Sequence, residues 1–156
     1  MKQPKIFYLL QKAHSALFRA SDKILKQQIG LTASQQAVLF ILTKGDGQPI
    51  SAIAEQLKMG KSSLTGLVDR MEARQLVTRQ KSASDARSVE VFITPTGTAL
   101  VEASLSGTKR VNAALLEPFS SDERATIERF LKHVAEQADS IVQTHAKHEI
   151  PERNDL

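Results

Sequence analysis

The sequence predicts a mainly α-helical protein with one small β-hairpin. Two observations support this prediction. Most of the 156 residues fall into segments whose apolar side chains recur every three or four positions, which is the spacing of an amphipathic helix. Between residues 77 and 93 the spacing changes to every second position, as in two short strands. Helices on either side of a single hairpin are therefore the expected architecture.

The first two helices are marked by residues that typically begin or end a helix. An apolar stripe over residues 5–29 predicts the first helix, and Gly30 follows it as a common helix-ending residue. Thr32 and Gln35 then have the spacing of a capping box. The second helix is therefore expected over about residues 33–43.

Two helices joined by a tight turn are expected next. The segment Gly45-Asp46-Gly47-Gln48-Pro49 is typical of a turn, and Ser51 is expected to cap a third helix over residues 52–58. Met59-Gly60 is a connection short enough for a helix-turn-helix. The fourth helix, over residues 61–74, has one apolar stripe, formed by Leu64, Leu67, Val68 and Met71.

The other face of the fourth helix carries small and cationic residues that can reach base edges and phosphates. They are Lys61, Ser62, Ser63, Thr65, Gly66 and Arg70. Free backbone N–H groups at the start of the helix also favour an anion. Gly66 costs roughly 1 kcal/mol relative to alanine, and it is either a tolerated surface glycine or leaves room for close approach to DNA. Arg70 either reaches phosphate or pairs with Asp69 or Glu72.

The hairpin is expected to have a polar tip. Its strands are predicted at residues 77–81 and 89–93, and the segment 82–88 between them must stand in solvent or against a partner. Thr94 and Pro95 then have the pattern of a helix N-cap and first helical residue. A helix followed by a two-stranded hairpin with a basic tip is the outline of a winged helix-turn-helix.

Short motifs in this region resemble one protein family. Asp85-x-Arg87-Ser88 followed by Ile93-Thr94-Pro95-Thr96-Gly97 resembles the wing and next helix start of the MarR family, the multiple-antibiotic-resistance regulators. The run Leu67-Val68-Asp69-Arg70-Met71-Glu72 resembles the recognition helix of that family. The resemblance extends over about residues 30–100. It implies a winged helix-turn-helix that binds double-stranded DNA.

The resemblance also implies roles for single residues. In the family, the arginine matching Arg87 enters the minor groove and the aspartate matching Asp85 braces the wing by a salt bridge. Arginine suits a narrow groove of negative potential, although Arg87 can also be an ordinary exposed hairpin charge. Arg79 and Lys81 are expected to contact phosphates, with a solvated strand face as the alternative. Many relatives carry arginine at the position of Gly66, so a contact common in the family is expected to be missing.

Long helices flank the winged unit and are expected to form a dimer interface. The fifth helix is predicted over residues 95–118, with Gly107 as a candidate bend, and a capping box at Ser120 opens the sixth over residues 121–146. A second copy would cover the apolar stripes of the first, fifth and sixth helices, although a bundle within one chain would also do so. The predicted division is a helical dimerisation region over 1–30 and 95–146, a DNA-binding domain over 31–94 and a flexible tail over 147–156.

A twofold dimer would place two recognition helices in successive major grooves. The resemblance therefore implies a homodimeric, ligand-responsive regulator, most often a repressor, on a palindromic operator. Effectors in the family are typically aromatic or phenolic acids bound between the dimerisation helices and the winged lobe. His14, Phe18 and Arg110 are candidates to line such a site, and each can equally be a packing or surface residue. A winged helix used only for protein contacts is the alternative function.

Composition narrows the possible functions. The chain has no cysteine, which excludes disulfides, thiolate metal sites and the cysteine chemistry of the family's peroxide sensors. No apolar run approaches a membrane span, and no signal-peptide cleavage site is evident, so a cytoplasmic protein is expected. The net charge is +4, distributed as +5 over residues 1–26, −1 over 27–57, +3 over 58–90 and −3 over 91–156. A basic wing region fits a phosphate-facing surface, whereas the basic start can pair with the acidic final third.

No catalytic motif or cofactor-binding motif is recognisable, so an enzyme is not expected and no cofactor is predicted. The four histidines include His145 and His148, which are three apart at a helix end and could bind a metal. Without an obvious third ligand, a surface role is expected for both. A metal-responsive regulator remains an alternative because some members of the family are zinc sensors.

Overall fold

The computed structural model describes residues 5–83 and 87–145, and these residues form six helices and one three-stranded antiparallel sheet. The mainly α-helical class with a small hairpin is therefore confirmed. In chain order the elements are α1 (Ile6–Ile29), α2 (Ala33–Lys44), β1 (Gln48–Pro49), α3 (Ile50–Gln56), α4 (Lys61–Ala73), β2 (Val77–Lys81), β3 (Val89–Ile93), α5 (Pro95–Leu116) and α6 (Ser121–His145).

The predicted helix ends are confirmed where side chains cap them. Thr32 Oγ1 accepts a hydrogen bond from the Gln35 backbone N–H at 3.1 Å, and Gln35 Oε1 accepts from the Thr32 N–H at 3.0 Å. Gly30 ends α1 in the left-handed conformation, with φ of 68°. Glu123 Oε2 accepts from the Ser120 N–H at 2.8 Å at the start of α6, and these contacts lower the pKa of the Glu123 carboxyl.

The start of α3 differs from the prediction. Ser51 was expected as its N-cap, but α3 begins at Ile50 with Pro49 before it, so Ser51 lies inside the helix. The reason is a third strand within the predicted turn. Gln48 pairs with Val91 and Pro49 pairs with Glu90, and this extended pair leads directly into α3. The sheet order is β1-β3-β2.

The core lies where α2, α3, α4 and α5 pack against the sheet. Its buried members come from every one of these elements and include Leu39, Leu42, Ile53, Leu64, Val68, Met71, Val77, Val91 and Val101. The first turn of α5 approaches the segment between α4 and β2 very closely, because a Cβ at Gly97 would overlap the backbone oxygen of Leu76. Thr94 fixes this junction, since its Oγ1 accepts from the Gly97 N–H at 3.1 Å and donates to the Gln75 carbonyl at 2.6 Å.

The chain divides into two compact units, one up to Thr108 and one from Lys109 onward. In the first unit, no residue of α1 is buried, and its exposed large apolar side chains are Ile6, Phe7, Tyr8, Leu9, Leu17, Phe18 and Ile24. In the second unit, no residue of α6 is buried, and its exposed apolar side chains are Phe130, Leu131, Ile141 and Val142. Helix α5 is continuous through Gly107. Among the described helices, none has the length and hydropathy needed to cross a membrane.

Candidate nucleic-acid interface

The turn between α3 and α4 sets how α4 is presented. The Lys58 N–H donates to the Glu55 carbonyl at 3.1 Å, and the Met59 N–H donates to the Ala54 carbonyl at 2.9 Å. This pair of bonds is a Schellman motif. Lys58 occupies its left-handed position with φ of 52°. Helices α3 and α4 thus form a helix-turn-helix whose second helix buries one apolar face and leaves the other outside.

Most of the predicted contact residues lie on that outer face of α4. Lys61, Ser62, Ser63 and Arg70 are exposed, whereas Thr65 and Gly66 are partly exposed. The Thr65 hydroxyl donates to the Lys61 carbonyl at 2.8 Å, which leaves its oxygen as an acceptor. The residue before the helix is Gly60, which has no side chain to cap the first N–H groups. The start of α4 therefore presents hydroxyls, a cation and backbone donors together.

Packing does not require a glycine at position 66. A Cβ there would meet only the Arg70 Nη1 atom, at 3.6 Å, which is an ordinary van der Waals distance. Alanine would also stabilise the interior of a helix by roughly 1 kcal/mol relative to glycine. Two explanations for a glycine here therefore remain. Either it allows close approach of a partner to α4, or it is a tolerated surface residue.

Arg79 on β2 is paired with two carboxylates of α4. Its Nη2 atom donates to Asp69 Oδ1, and its Nε atom lies 3.7 Å from Glu72 Oε2. The sequence offered Asp69 and Glu72 as possible partners of Arg70, but in the structure both carboxylates pair with Arg79. The expected phosphate contact of Arg79 is untested, and its guanidinium already has partners within the chain.

Hydrogen bonds close the wing where its two strands end, next to the tip. The Ser82 N–H donates to the Ser88 carbonyl at 2.9 Å, and Ser82 Oγ donates to Glu90 Oε1 at 2.6 Å. Lys81 and Arg87 are both exposed and lie on either side of the tip. Residues 84–86, including the predicted brace Asp85, lie outside the described part of the chain.

Sequence reasoning missed the residue that anchors the far end of α4. Arg74 Nη1 donates to the Gly30 carbonyl at 2.7 Å and lies 3.4 Å from Gln35 Oε1. This side chain therefore ties the end of α4 to the junction of α1 and α2. Nothing in the periodicity predicts this contact. The pairing of Arg79, by contrast, had a signal in the sequence. Two acidic residues, Asp69 and Glu72, lie in the helix just before the basic strand that carries Arg79.

Comparison with known proteins identifies the family. Residues 31–89 match the MarR family. The organic hydroperoxide resistance transcriptional regulator of Bacillus subtilis (strain 168) is 31% identical over 102 residues, which cover 65% of this chain and 69% of the relative. The chain belongs to the MarR family. As a MarR-family protein it is a DNA-binding transcriptional regulator.

Other MarR-type proteins are similar over more of the chain. The repressor MdtR of Bacillus subtilis (strain 168) is 26% identical over 132 residues, covering 85% of this chain and 82% of MdtR. The crystal structure of S. aureus MepR with DNA has a TM-score of 0.78 at 21% identity, covering 87% of this chain and 99% of that one. The structure of Bordetella bronchiseptica BpsR, whose DNA binding is regulated by 6-hydroxynicotinic acid, has a TM-score of 0.71 at 24% identity, covering 85% and 99%.

The predicted effector residues of this MarR-family chain fall in different units. His14 and Phe18 lie on α1 with ring centroids 4.3 Å apart, and both are exposed. Arg110 is an exposed residue of the second compact unit. His148 lies beyond the described residues, and among those described no cluster of three or more His, Asp or Glu side chains is placed to hold a metal.

Proposed function

We propose that this MarR-family regulator binds a palindromic operator as a homodimer and acts as a repressor. The observation that carries the proposal is the outer face of α4, where Lys61, Ser62, Ser63 and Arg70 remain exposed above a fully buried apolar face. Helices of this kind read base edges in the major groove, while cations beside them contact phosphates. The solved complex of MepR with DNA and the repressor name of MdtR support this proposal.

The wing provides the second part of the proposed contact. Lys81 and Arg87 are exposed near its tip, and the tip follows α4 in the same compact unit. In the proposal, Arg87 enters the minor groove, Asp85 braces the loop and Lys81 contacts phosphate. Each phosphate contact should contribute about 0.9 to the slope of log affinity against log salt.

Selection of DNA from a random pool tests this proposal. We expect an enriched inverted repeat whose half-sites are centred about one helical turn apart, with steep salt dependence of binding. Failure to enrich any sequence with folded, dimeric protein would contradict operator binding by the free dimer. Salt-independent capture of a protein partner that competes with DNA would instead favour the protein-contact function.

The proposal includes regulation by an aromatic or phenolic acid. The regulation of BpsR by 6-hydroxynicotinic acid supports this chemistry, and His14 and Phe18 provide adjacent exposed rings on α1. An effector must bind the DNA-free form better than the DNA-bound form. Release of the selected operator by such acids, and its loss in His14→Ala with DNA affinity unchanged, is the expected result. Release that is equal in His14→Ala and wild type would contradict this site.

The remaining parts of the proposal concern setting and chemistry. A regulator of genomic DNA must work where that DNA is, so we propose a cytoplasmic location. The relatives are transcriptional regulators, and the proposed activity is binding without catalysis. Regulation by a metal through His145 and His148 would become the preferred function only if added zinc changed operator affinity.

A further inference from the structure

Among the residues that the structure describes, the Arg79 side chain makes its polar contacts with α4. Its Nη2 atom donates to Asp69 Oδ1 and lies 3.4 Å from the Thr65 carbonyl oxygen, while its backbone N–H donates to Glu72 Oε1 at 3.1 Å. Its side chain is only 25% exposed. Lys81, two residues further along the same strand, is exposed. Two cations on one strand are therefore in different environments, and Arg79 is the less exposed of the two.

The acceptors of Arg79 follow one face of α4. Thr65, Asp69 and Glu72 are spaced by four and three residues, so they lie in a row along two turns of the helix. The planar guanidinium has several donors in a fixed geometry, which allows it to bind more than one acceptor at once. These four residues, Thr65, Asp69, Glu72 and Arg79, are called the α4–β2 clamp below. The clamp links α4 directly to β2, the first strand of the wing.

The clamp also matters for charge. Asp69 is exposed and Glu72 is partly exposed, so both place negative charge on the helix that approaches a polyanion. Unpaired carboxylates there would repel DNA phosphates. Arg79 compensates this charge, and a phosphate would have to compete with both carboxylates to bind the same guanidinium. These contacts favour an internal role for Arg79.

We propose that Arg79 is a positioning residue for DNA binding, which acts through Asp69 and Glu72 and does not contact phosphate. This replaces the phosphate contact expected from the sequence. The inference rests on the proposed function, because it takes α4 as the helix that enters the major groove. According to this inference, operator affinity depends on the α4–β2 clamp, which is a contact within the protein.

A mutant cycle on operator DNA tests the proposal. Arg79→Gln should weaken binding about tenfold in the wild-type background, within the range of coupling energies in one salt-bridge network. In the Asp69→Asn/Glu72→Gln background the same change should have less than a twofold effect, because there are no carboxylates left to compensate. The salt slope should be unchanged by Arg79→Gln within each background. All measurements are made well below the melting temperature of each variant, with folding checked by circular dichroism.

Two further variants separate the outcomes. Arg79→Lys keeps the charge that compensates the carboxylates but loses the multidentate geometry, so it should bind more tightly than Arg79→Gln and more weakly than the wild type. Lys81→Gln, on the same strand, should lower the salt slope by about 0.9 per chain in both backgrounds. Equal losses from Arg79→Gln in both backgrounds, or a salt slope lowered by about 0.9 per chain in Arg79→Gln, would overturn the positioning role. No effect from Lys81→Gln would instead count against the wing contact of the proposed function. The positioning role of Arg79 would still be tested by comparing the affinity loss from Arg79→Gln in the two backgrounds.

Discussion

Gly97 and Gly107 lie ten residues apart on α5, and their surroundings differ completely. A Cβ at Gly97 would overlap the Leu76 carbonyl oxygen and crowd the Leu39 side chain, whereas a Cβ at Gly107 would meet nothing within 4 Å. Gly97→Ala should therefore destabilise the protein by about 1–3 kcal/mol, as overpacking of a core does. Gly107→Ala should stabilise it by up to about 1 kcal/mol through helix propensity. Urea denaturation of both variants checks this, and equal stabilities would contradict the close approach at Gly97.

Gly66 allows fold and function to be tested separately at one residue. Because its added Cβ would meet only Arg70 Nη1 at 3.6 Å, Gly66→Ala should keep the fold and raise stability by up to about 1 kcal/mol. We expect operator affinity to fall at the same time, since the methyl group would stand between α4 and the groove. Binding isotherms and denaturation curves on one preparation check both effects. Affinity equal to that of wild type would identify Gly66 as a tolerated surface residue.

At the scale of elements, the sequence predicted the helix ends that are set by contacts between residues close together in the chain. The capping boxes at Thr32 and Ser120 gave helix starts that the structure confirms, because side chain and backbone lie three residues apart in the chain. The two-residue strand β1 was missed because it is too short to show a period. Arg79 was assigned to phosphate because its partners, Asp69 and Glu72, reach it only after α4 and β2 have packed together.

The start of α6 gives a prediction about pH. Hydrogen bonds from the Ser120 backbone and side chain lower the pKa of Glu123, so this carboxylate stabilises the fold above its unfolded-state pKa. That stability is lost as the pH falls through the folded-state pKa. Ser120→Ala keeps the backbone N–H, which is the larger cause, and removes only the side-chain hydrogen bond. It should therefore raise the Glu123 pKa part of the way towards its ordinary value, as measured by NMR titration of the side-chain carboxyl carbon. Glu128 is the internal control, since its pKa is lowered by Lys132 and should not change. A Glu123 pKa identical in variant and wild type would contradict the role of Ser120.

At the scale of the whole molecule, the exposed apolar faces of α1 and α6 carry the proposal of a dimer. Leu131 is 49% exposed and Phe130 is 37% exposed on α6, where water contact is costly for large apolar side chains. Sedimentation equilibrium should give twice the chain mass for the wild type. Leu131→Asp should shift the protein to the monomer and abolish operator binding.

The control for this experiment places the same charge elsewhere on the helix. Gln143→Asp adds a carboxylate at an exposed polar position on the opposite side of α6 from Phe130 and Leu131, and this variant should remain dimeric. A wild-type monomer that still binds its operator tightly would contradict the twofold arrangement, and so would a dimer unaffected by Leu131→Asp.

The small sheet has consequences for aggregation. Its two outer strands are β1, which is two residues long and contains Pro49, and β2, which carries Arg79 and Lys81. Short edge strands, proline and cations are the means by which natural sheets prevent pairing with the strands of another molecule. The wing can therefore project from the protein without acting as a template for fibrils. We expect self-association of this regulator to be confined to its helical faces, even at the high concentrations used for structural work.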